Sequence, residues 1–436
     1  MSDHLRLKAK DRDAILQALR AGVVPRLGLQ HIQVGRAREV EEMIRDVERI
    51  RDGGAAIRFV IGEYGAGKTF FLNLTRLIAL EKKLVVVTAD LAPDRRLHAS
   101  GGQARSLYAE LMHNLATRTK PEGGALASVV ERFIGDAHKA AKAAGEAVET
   151  VIERKLAPLE DLVAGYDMTT VLHHYWRASE DGNEAGKAAA LRWLRAEYST
   201  RTEARAAVGV RDIIDDAGLY DYLKLLARFV VLAGYDGLLV VLDEMVNLYK
   251  LQNAQARNAN YEQVLRILND VLQGSAAHIG FLCGGTPKLL MDPRRGLYSY
   301  PALQSRLAEN RFARDGLVDL SGPVLRLANL TPEELYVLLA NLRHVQAGGD
   351  PARHAVPDEA LAAFMEHCRQ RIGDAYFRTP RNTVTAFISF LAVLEQNPGV
   401  GWAEVLGQVN PVTESAAGAG APEEGGGDDE LASFRL

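Results

Sequence analysis

Gly62-Glu63-Tyr64-Gly65-Ala66-Gly67-Lys68-Thr69 decides the reading of this 436-residue chain. The stretch fits G-x-x-x-x-G-K-[ST], the pattern of a phosphate-binding loop. Ala56-Ile57-Arg58-Phe59-Val60-Ile61 before it reads as a short buried strand, and Phe70-Phe71-Leu72-Asn73-Leu74 after it as the first turns of a helix. Strand, loop and helix in that order are what such a loop needs. Its glycines let successive backbone N–H groups curl round a phosphate with no Cβ in the way. The helix N-terminus adds its dipole and its free N–H groups. On this pattern Gly62 to Phe70 form the nucleotide-binding stretch. Lys68 is expected to reach the β- and γ-phosphates of ATP, and the Thr69 hydroxyl to ligate Mg²⁺.

Hydrolysis needs a metal-holding acid and a group that orients water. Gly237-Leu238-Leu239-Val240-Val241-Leu242-Asp243-Glu244 reads as another buried strand, ending in two acids. In open α/β sheets ligands bind at the carboxyl ends of strands. Asp243 is therefore placed to hold Mg²⁺ through water, and Glu244 to act as general base toward the attacking water. The plainer alternative is that both acids cap the following helix. Thr286, after the run Ile279-Gly280-Phe281-Leu282-Cys283, is a candidate polar contact to the γ-phosphate, although Gly284-Gly285-Thr286-Pro287 is equally an ordinary turn. Ser305-Arg306-Leu307, with Arg311 and Arg314 close by, offers an arginine to a neighbouring subunit's γ-phosphate. Arg306 is the choice among the three, against the base expectation that surface arginines do nothing of the kind. Arg381 sits in Thr379-Pro380-Arg381 at the start of a helix, from which a guanidinium can grip phosphate bidentately.

Hydrophobic residues make up 47% of the chain and the net charge is −4. A sizeable core is allowed, and a global basic footprint for nucleic acid is excluded. Cys283 and Cys368 lie far apart without metal-like spacing, which points to a reducing, cytoplasmic compartment. Met1-Ser2-Asp3-His4-Leu5-Arg6 carries charge but no apolar signal core. No apolar run is long enough for a membrane span.

Along the chain, residues 1–52 read as N-terminal helices and a connecting segment, with a helix from about 11 to 22, an extended stretch over 25–34, then Gly35-Arg36-Ala37-Arg38-Glu39 followed by a periodic helix to about Arg51. An α/β core follows over 53–325, with Leu84–Asp90 as a further buried strand. Between about 103 and 233 the apolar spacing becomes helical, over Ser106–Thr117, Leu126–Lys142, Ala188–Tyr198 and Ile213–Val231, and His138–Ala147 suggests a long exposed helix. Leu317–Leu320 and Val324–Leu327 are short extended candidates. Helices dominate 326–410, and 411–436 is a Gly- and acid-rich tail of disordered composition.

These pieces stand in the order of an AAA+ ATPase, and the resemblance assigns roles. Gly35-Arg36-x-x-Glu39 resembles the adenine-side box of that superfamily, which adds Gly35 and Arg36 to the nucleotide contacts. Lys68/Thr69, Asp243/Glu244, Thr286, Arg306 and Arg381 resemble Walker A, Walker B, sensor 1, arginine finger and sensor 2. The helices from Pro332 resemble the lid domain, and Ser-Arg-Leu resembles the finger motif of the archaeal origin-recognition type. A narrower resemblance is carried by Gly234–Glu244, Asn260-Tyr261-Glu262, Asn269-Asp270, Gly284–Pro287 and Arg295-Gly296-Leu297. It is to the ATP-binding proteins of bacteriophage exclusion (BREX) and related defence islands. It implies an ATPase that assembles with itself and works with a helicase or methyltransferase, with DNA as a further partner. The helical insertion exceeds a minimal AAA+ core, and no room is left after the lid for a winged helix.

Two other features stand apart. His173-His174-Tyr175-Trp176 reads as helix packing rather than metal binding, since no second ligand cluster accompanies it. The terminal peptide 428–436 carries Leu431, Phe434 and Leu436, and is either a frayed end or a tethered docking peptide. The expectation is thus an α/β P-loop protein of AAA+ type that hydrolyses ATP, with a low-turnover nucleotide switch as the alternative and phosphotransfer disfavoured.

Overall fold

The computed structural model describes residues 7–310, 312, 319–378 and 380–408. Arg311, Arg314, Leu317, Val318, Thr379 and the tail with its terminal peptide lie outside the described residues. The chain divides into two compact units, Val24–Asn329 and Met1–Val23 with Leu330–Leu436.

The larger unit is built on a parallel sheet. Its strands are β1 (Ala55–Ile61), β2 (Val85–Asp90), β3 (Leu238–Asp243), β4 (Ile279–Gly285) and β5 (Val324–Arg326), in the spatial order β2-β3-β4-β1-β5. Register runs Ala55↔Ile279 to Ile61↔Gly285 between β1 and β4, and Val85↔Leu238 to Asp90↔Asp243 between β2 and β3. Parallel strands need crossover connections and are covered on both faces, which is why they read as near-continuous apolar runs.

Alternation of side chains sorts the sheet into two packed faces. Ile57, Phe59, Val87, Val240 and Phe281 join the core shared with the helices that connect β2 and β3. Ala56, Val60, Val86, Val241 and Leu282 pack with Met43, Val47, Phe71 and Leu72 of the helices Ala37–Arg51 and Lys68–Glu81. Arg58 interrupts β1 yet is only 4% exposed. It is satisfied by Asp46 through Nε and Nη2 and by the carbonyls of Leu320 and Gly322. A buried cation with these partners costs far less than an unpaired one.

Helices fill the path from β2 to β3: Gln103–His113, Leu126–Ala144, Val148–Glu160, Gly165–Glu180, Glu184–Leu194, Arg201–Val208 and Leu219–Leu232. The first stops short of the expected Thr117. Ala116 instead exchanges backbone bonds with Val86 (2.8 and 3.0 Å) and so occupies part of the free edge of β2, a common way to close an exposed edge. The expected helix from His138 to Ala147 ends at Ala144, because Gly145 turns left-handed (φ 69°) and caps it. The expected extended stretch 25–34 contains a short 3₁₀ turn, Leu29–His31, after left-handed Gly28.

The smaller unit is helical. Ala9–Arg20 packs with Pro332–Gln346 and Pro380–Gln396, joined by Asp358–Ile372 and Trp402–Gln408. Thr331 and Glu334 form a reciprocal capping box ahead of Pro332, and Phe364 packs edge-on against Phe387 with centroids 5.1 Å apart.

Candidate functional site

The loop after β1 bends where the sequence allows it. Gly65 and Gly67 have φ of 79° and 81°, values that favour glycine. The loop is held on two sides. Gly62 N–H donates to Gly285 O of β4 (3.2 Å), and the Arg36 guanidinium donates to the carbonyls of Ala66, Gly67 and Ala328. Arg36 is itself left-handed (φ 58°) and follows left-handed Gly35 (φ 61°). Such a backbone costs about 1–2 kcal/mol for a non-glycine residue, and the guanidinium anchors oppose that cost. Arg36 thus reaches the phosphate loop from behind, turning its carbonyls toward the guanidinium.

Lys68 opens the helix Lys68–Glu81, and its ammonium donates to the carbonyls of Gly62 (3.0 Å) and Glu63 (2.9 Å). Burial lowers its pKa, and Asp243, Glu244 and Glu63 oppose that. Thr69 Oγ1 donates to Asp243 Oδ2 at 2.8 Å, while Asp243 Oδ1 accepts from Glu244 N–H at 2.8 Å. The phosphate loop and the acids ending β3 therefore meet, although β4 lies between their strands. One intervening strand separates them by roughly 10 Å at a strand spacing of about 4.8 Å. Gly284 on β4 makes the meeting possible. A Cβ there would fall 2.3 Å from Asp243 Oδ1 and 2.9 Å from Leu72 Cδ1.

Glu244 is left-handed (φ 54°), so the chain turns sharply as β3 ends; strain of this kind costs of order 1–3 kcal/mol and clusters at functional sites. Its carboxyl is solvent-exposed at the foot of the strand edge, yet partial burial is the first cause raising its pKa, followed by the charges of Asp243 and Asp90, with Lys68 and Lys250 opposing. Asp90 ends β2 in register with Asp243. Burial and then Asp243 raise its pKa, and Arg95 opposes. Sequence reading passed over Asp90, although an acid closing a β-branched run was the same signal that singled out Asp243. Asn247 donates to Leu91 O (2.6 Å) and ties the turn after β3 to the turn after β2.

The other expected site residues are distributed differently. Glu63 and Tyr64 are exposed, Tyr64 at 65%, and Phe70 is half-buried on the helix that Lys68 opens. Thr286 directly follows β4 beside the phosphate loop, but its hydroxyl accepts from Leu289 N–H (3.3 Å) and caps the helix Pro287–Met291. Arg306 donates to Ala302 O of its own helix (3.0 Å) and forms no ion pair among the described residues. Arg381 belongs to the smaller unit, where it donates to Gly22 O (2.6 Å).

The donor set fits a magnesium–triphosphate group. Among the described residues no three His, Cys, Asp or Glu side chains converge to hold a metal by themselves. Mg²⁺ suits such a place, because it is bound through one or two carboxylates together with phosphate oxygens and water; Thr69 and Asp243 would be the protein's share.

Gly284→Ala tests this packing. The added methyl would displace the Asp243 carboxylate from Thr69, and overpacking of this kind costs about 1–3 kcal/mol. The expected result is a modest fall in melting temperature with loss of magnesium-dependent nucleotide affinity, read by titration with and without the metal. Unchanged magnesium dependence would separate Gly284 from the site.

No helix among the described residues is long and apolar enough to cross a membrane. Among curated proteins none matches the chain. The family model described as the BREX system ATP-binding protein BrxC/D matches residues 7–410, and the chain belongs to that family.

Proposed function

We propose that the chain binds ATP with Mg²⁺ through the 62–70 stretch and hydrolyses it as an AAA+ ATPase. It assembles from several copies and acts with a helicase or methyltransferase partner, and with DNA, in anti-phage defence. The observation that carries the reading is the bond from Thr69 to Asp243, which places a phosphate-loop hydroxyl and a strand-end acid at one point beside Lys68 and Glu244. The family's description supports the ATP-binding and defence parts.

The chain's residues then act as follows. Backbone N–H groups of Gly65 to Thr69 bind phosphate oxygens. Lys68 exchanges its present carbonyl partners for the β- and γ-phosphates. A bound magnesium ion would supply positive charge against the phosphates. Glu244 orients water and takes its proton, a role that suits a carboxyl raised by burial. Arg306 reaches a neighbour's γ-phosphate, and Thr286, Gly35, Arg36 and Arg381 complete the nucleotide contacts. The helices Pro332–Gln408 act as the lid, and those between β2 and β3 as a partner surface.

Subunit mixing tests assembly and finger together. Arg306→Ala is expected to lower turnover by on the order of 10³-fold. Adding inactive Glu244→Gln protein should restore part of it, because hybrid interfaces pair an intact Arg306 with an intact Glu244. Absence of rescue would place Arg306 within its own subunit or outside the chemistry.

A further inference from the structure

Three helices of the larger unit, Val148–Glu160, Gly165–Glu180 and Arg201–Val208, enclose an open cavity of about 750 Å³, apart from the nucleotide site. Glu153 and Glu160 line it from the first helix, Thr169, His173 and His174 from the second, and Val208 from the third. The two arginines on its wall are already neutralised, Arg154 by Glu146 (2.9 Å) and Arg177 by Glu149 (2.8 Å). Glu153 and Glu160 have no ion-pair partner among the described residues.

Other features of the wall share that sign. Glu160 and Val208 are the last residues of their helices, so two helix C-termini, each carrying partial negative charge, border the same space. Thr169 is 7% exposed, and its hydroxyl has no hydrogen-bond partner; nor does His174 Nε2. Buried polar atoms of this kind are normally satisfied by protein, water or a ligand. Burial lowers the pKa of both imidazoles, against the charges of Glu153, Glu149 and Glu160 at His173, while Arg177 lowers both further. Uncharged at neutral pH, each ring offers a lone pair to an incoming N–H.

We propose that this cavity is a binding site for an organic cation with several N–H donors, an alkylammonium supplied by a free polyamine or by a lysine side chain. Its unpaired carboxylates, neutral ring nitrogens and helix C-termini all accept hydrogen bonds from such a group. An anion would meet Glu153 and Glu160 while finding both wall arginines engaged. A metal ion would lack a converging set of three ligands among the described residues.

The test is calorimetric titration of the full chain with spermidine, and separately with N-acetyl-lysine methylamide, at moderate salt. Spermidine is expected to bind saturably. The Glu153→Gln/Glu160→Gln variant should bind about tenfold more weakly or worse, the loss of one charge-assisted contact or more. Thr169→Val should weaken binding by a few-fold, while a control variant with Glu359→Gln and Glu404→Gln, both exposed in the smaller unit, should bind as wild type. Tighter binding of the lysine amide than of spermidine would assign the site to a protein side chain. Weak, non-saturating uptake that is equal in all variants, or no binding of either probe, would overturn the proposal. Melting curves check that the variants fold.

Discussion

Lys68→Ala is expected to abolish ATP binding at working nucleotide concentrations, with the fold retained. In the structure the ammonium donates to the carbonyls of Gly62 and Glu63, groups that the strand edge and water can also satisfy. Toward a triphosphate the same ammonium would make at least two charge-assisted bonds, each worth about 1.5–3 kcal/mol. Losing both weakens binding by about 10²- to 10⁴-fold. Partial burial makes the charge more valuable still, since desolvation already disfavours it and Asp243 and Glu244 sustain it. A fluorescent-nucleotide titration, with a melting curve as the control for folding, reads the effect. Wild-type affinity in the folded variant would show that phosphates are gripped elsewhere.

Glu244→Gln should give the opposite pattern, with binding kept and turnover lost. The amide preserves the shape and leaves Asp243 with its bonds to Thr69 and to the backbone N–H at position 244. It removes the group proposed to accept water's proton, a contribution of about 10²- to 10⁴-fold. The like charge beside Asp243 and Asp90 also disappears, so nucleotide affinity should hold or rise. Phosphate release under single-turnover conditions, compared with ATP retention by the same sample, separates the two effects. Normal turnover would remove Glu244 from the chemistry and leave the left-handed backbone there without a catalytic reason.

What local sequence carries, it carried well. Apolar runs ending in Gly or Asp located β1 to β4 within a residue or two, because buried parallel strands cannot hide their composition. Val324–Leu327 matched the short edge strand β5. Strand order was not readable, since it depends on pairings between residues far apart in the chain. For the same reason the meeting of Thr69 with Asp243 across Gly284 was only an expectation, and the need for glycine at 284 looked like a simple turn. Arg58 read as part of a buried run; its partner Asp46 stands on the helix Ala37–Arg51 before the strand, so the charge pair was invisible. Arg36 was read as an adenine-side residue by resemblance; its bonds to the carbonyls of Ala66 and Gly67 in the loop after β1 were not legible in the sequence. The N-terminal helix Ala9–Arg20 gave no sign that it packs among the C-terminal helices. Arg381 donates to Gly22 O, far away along the chain, a contact that local spacing does not reveal.

The most direct measurement is equilibrium binding of ATP to the purified wild-type chain, with and without magnesium. The account predicts saturable binding that tightens with the metal, because Thr69 and Asp243 would hold the ion and its positive charge would favour the phosphates. A folded chain that retains no ATP, or that binds it equally well when magnesium is chelated, would contradict the account.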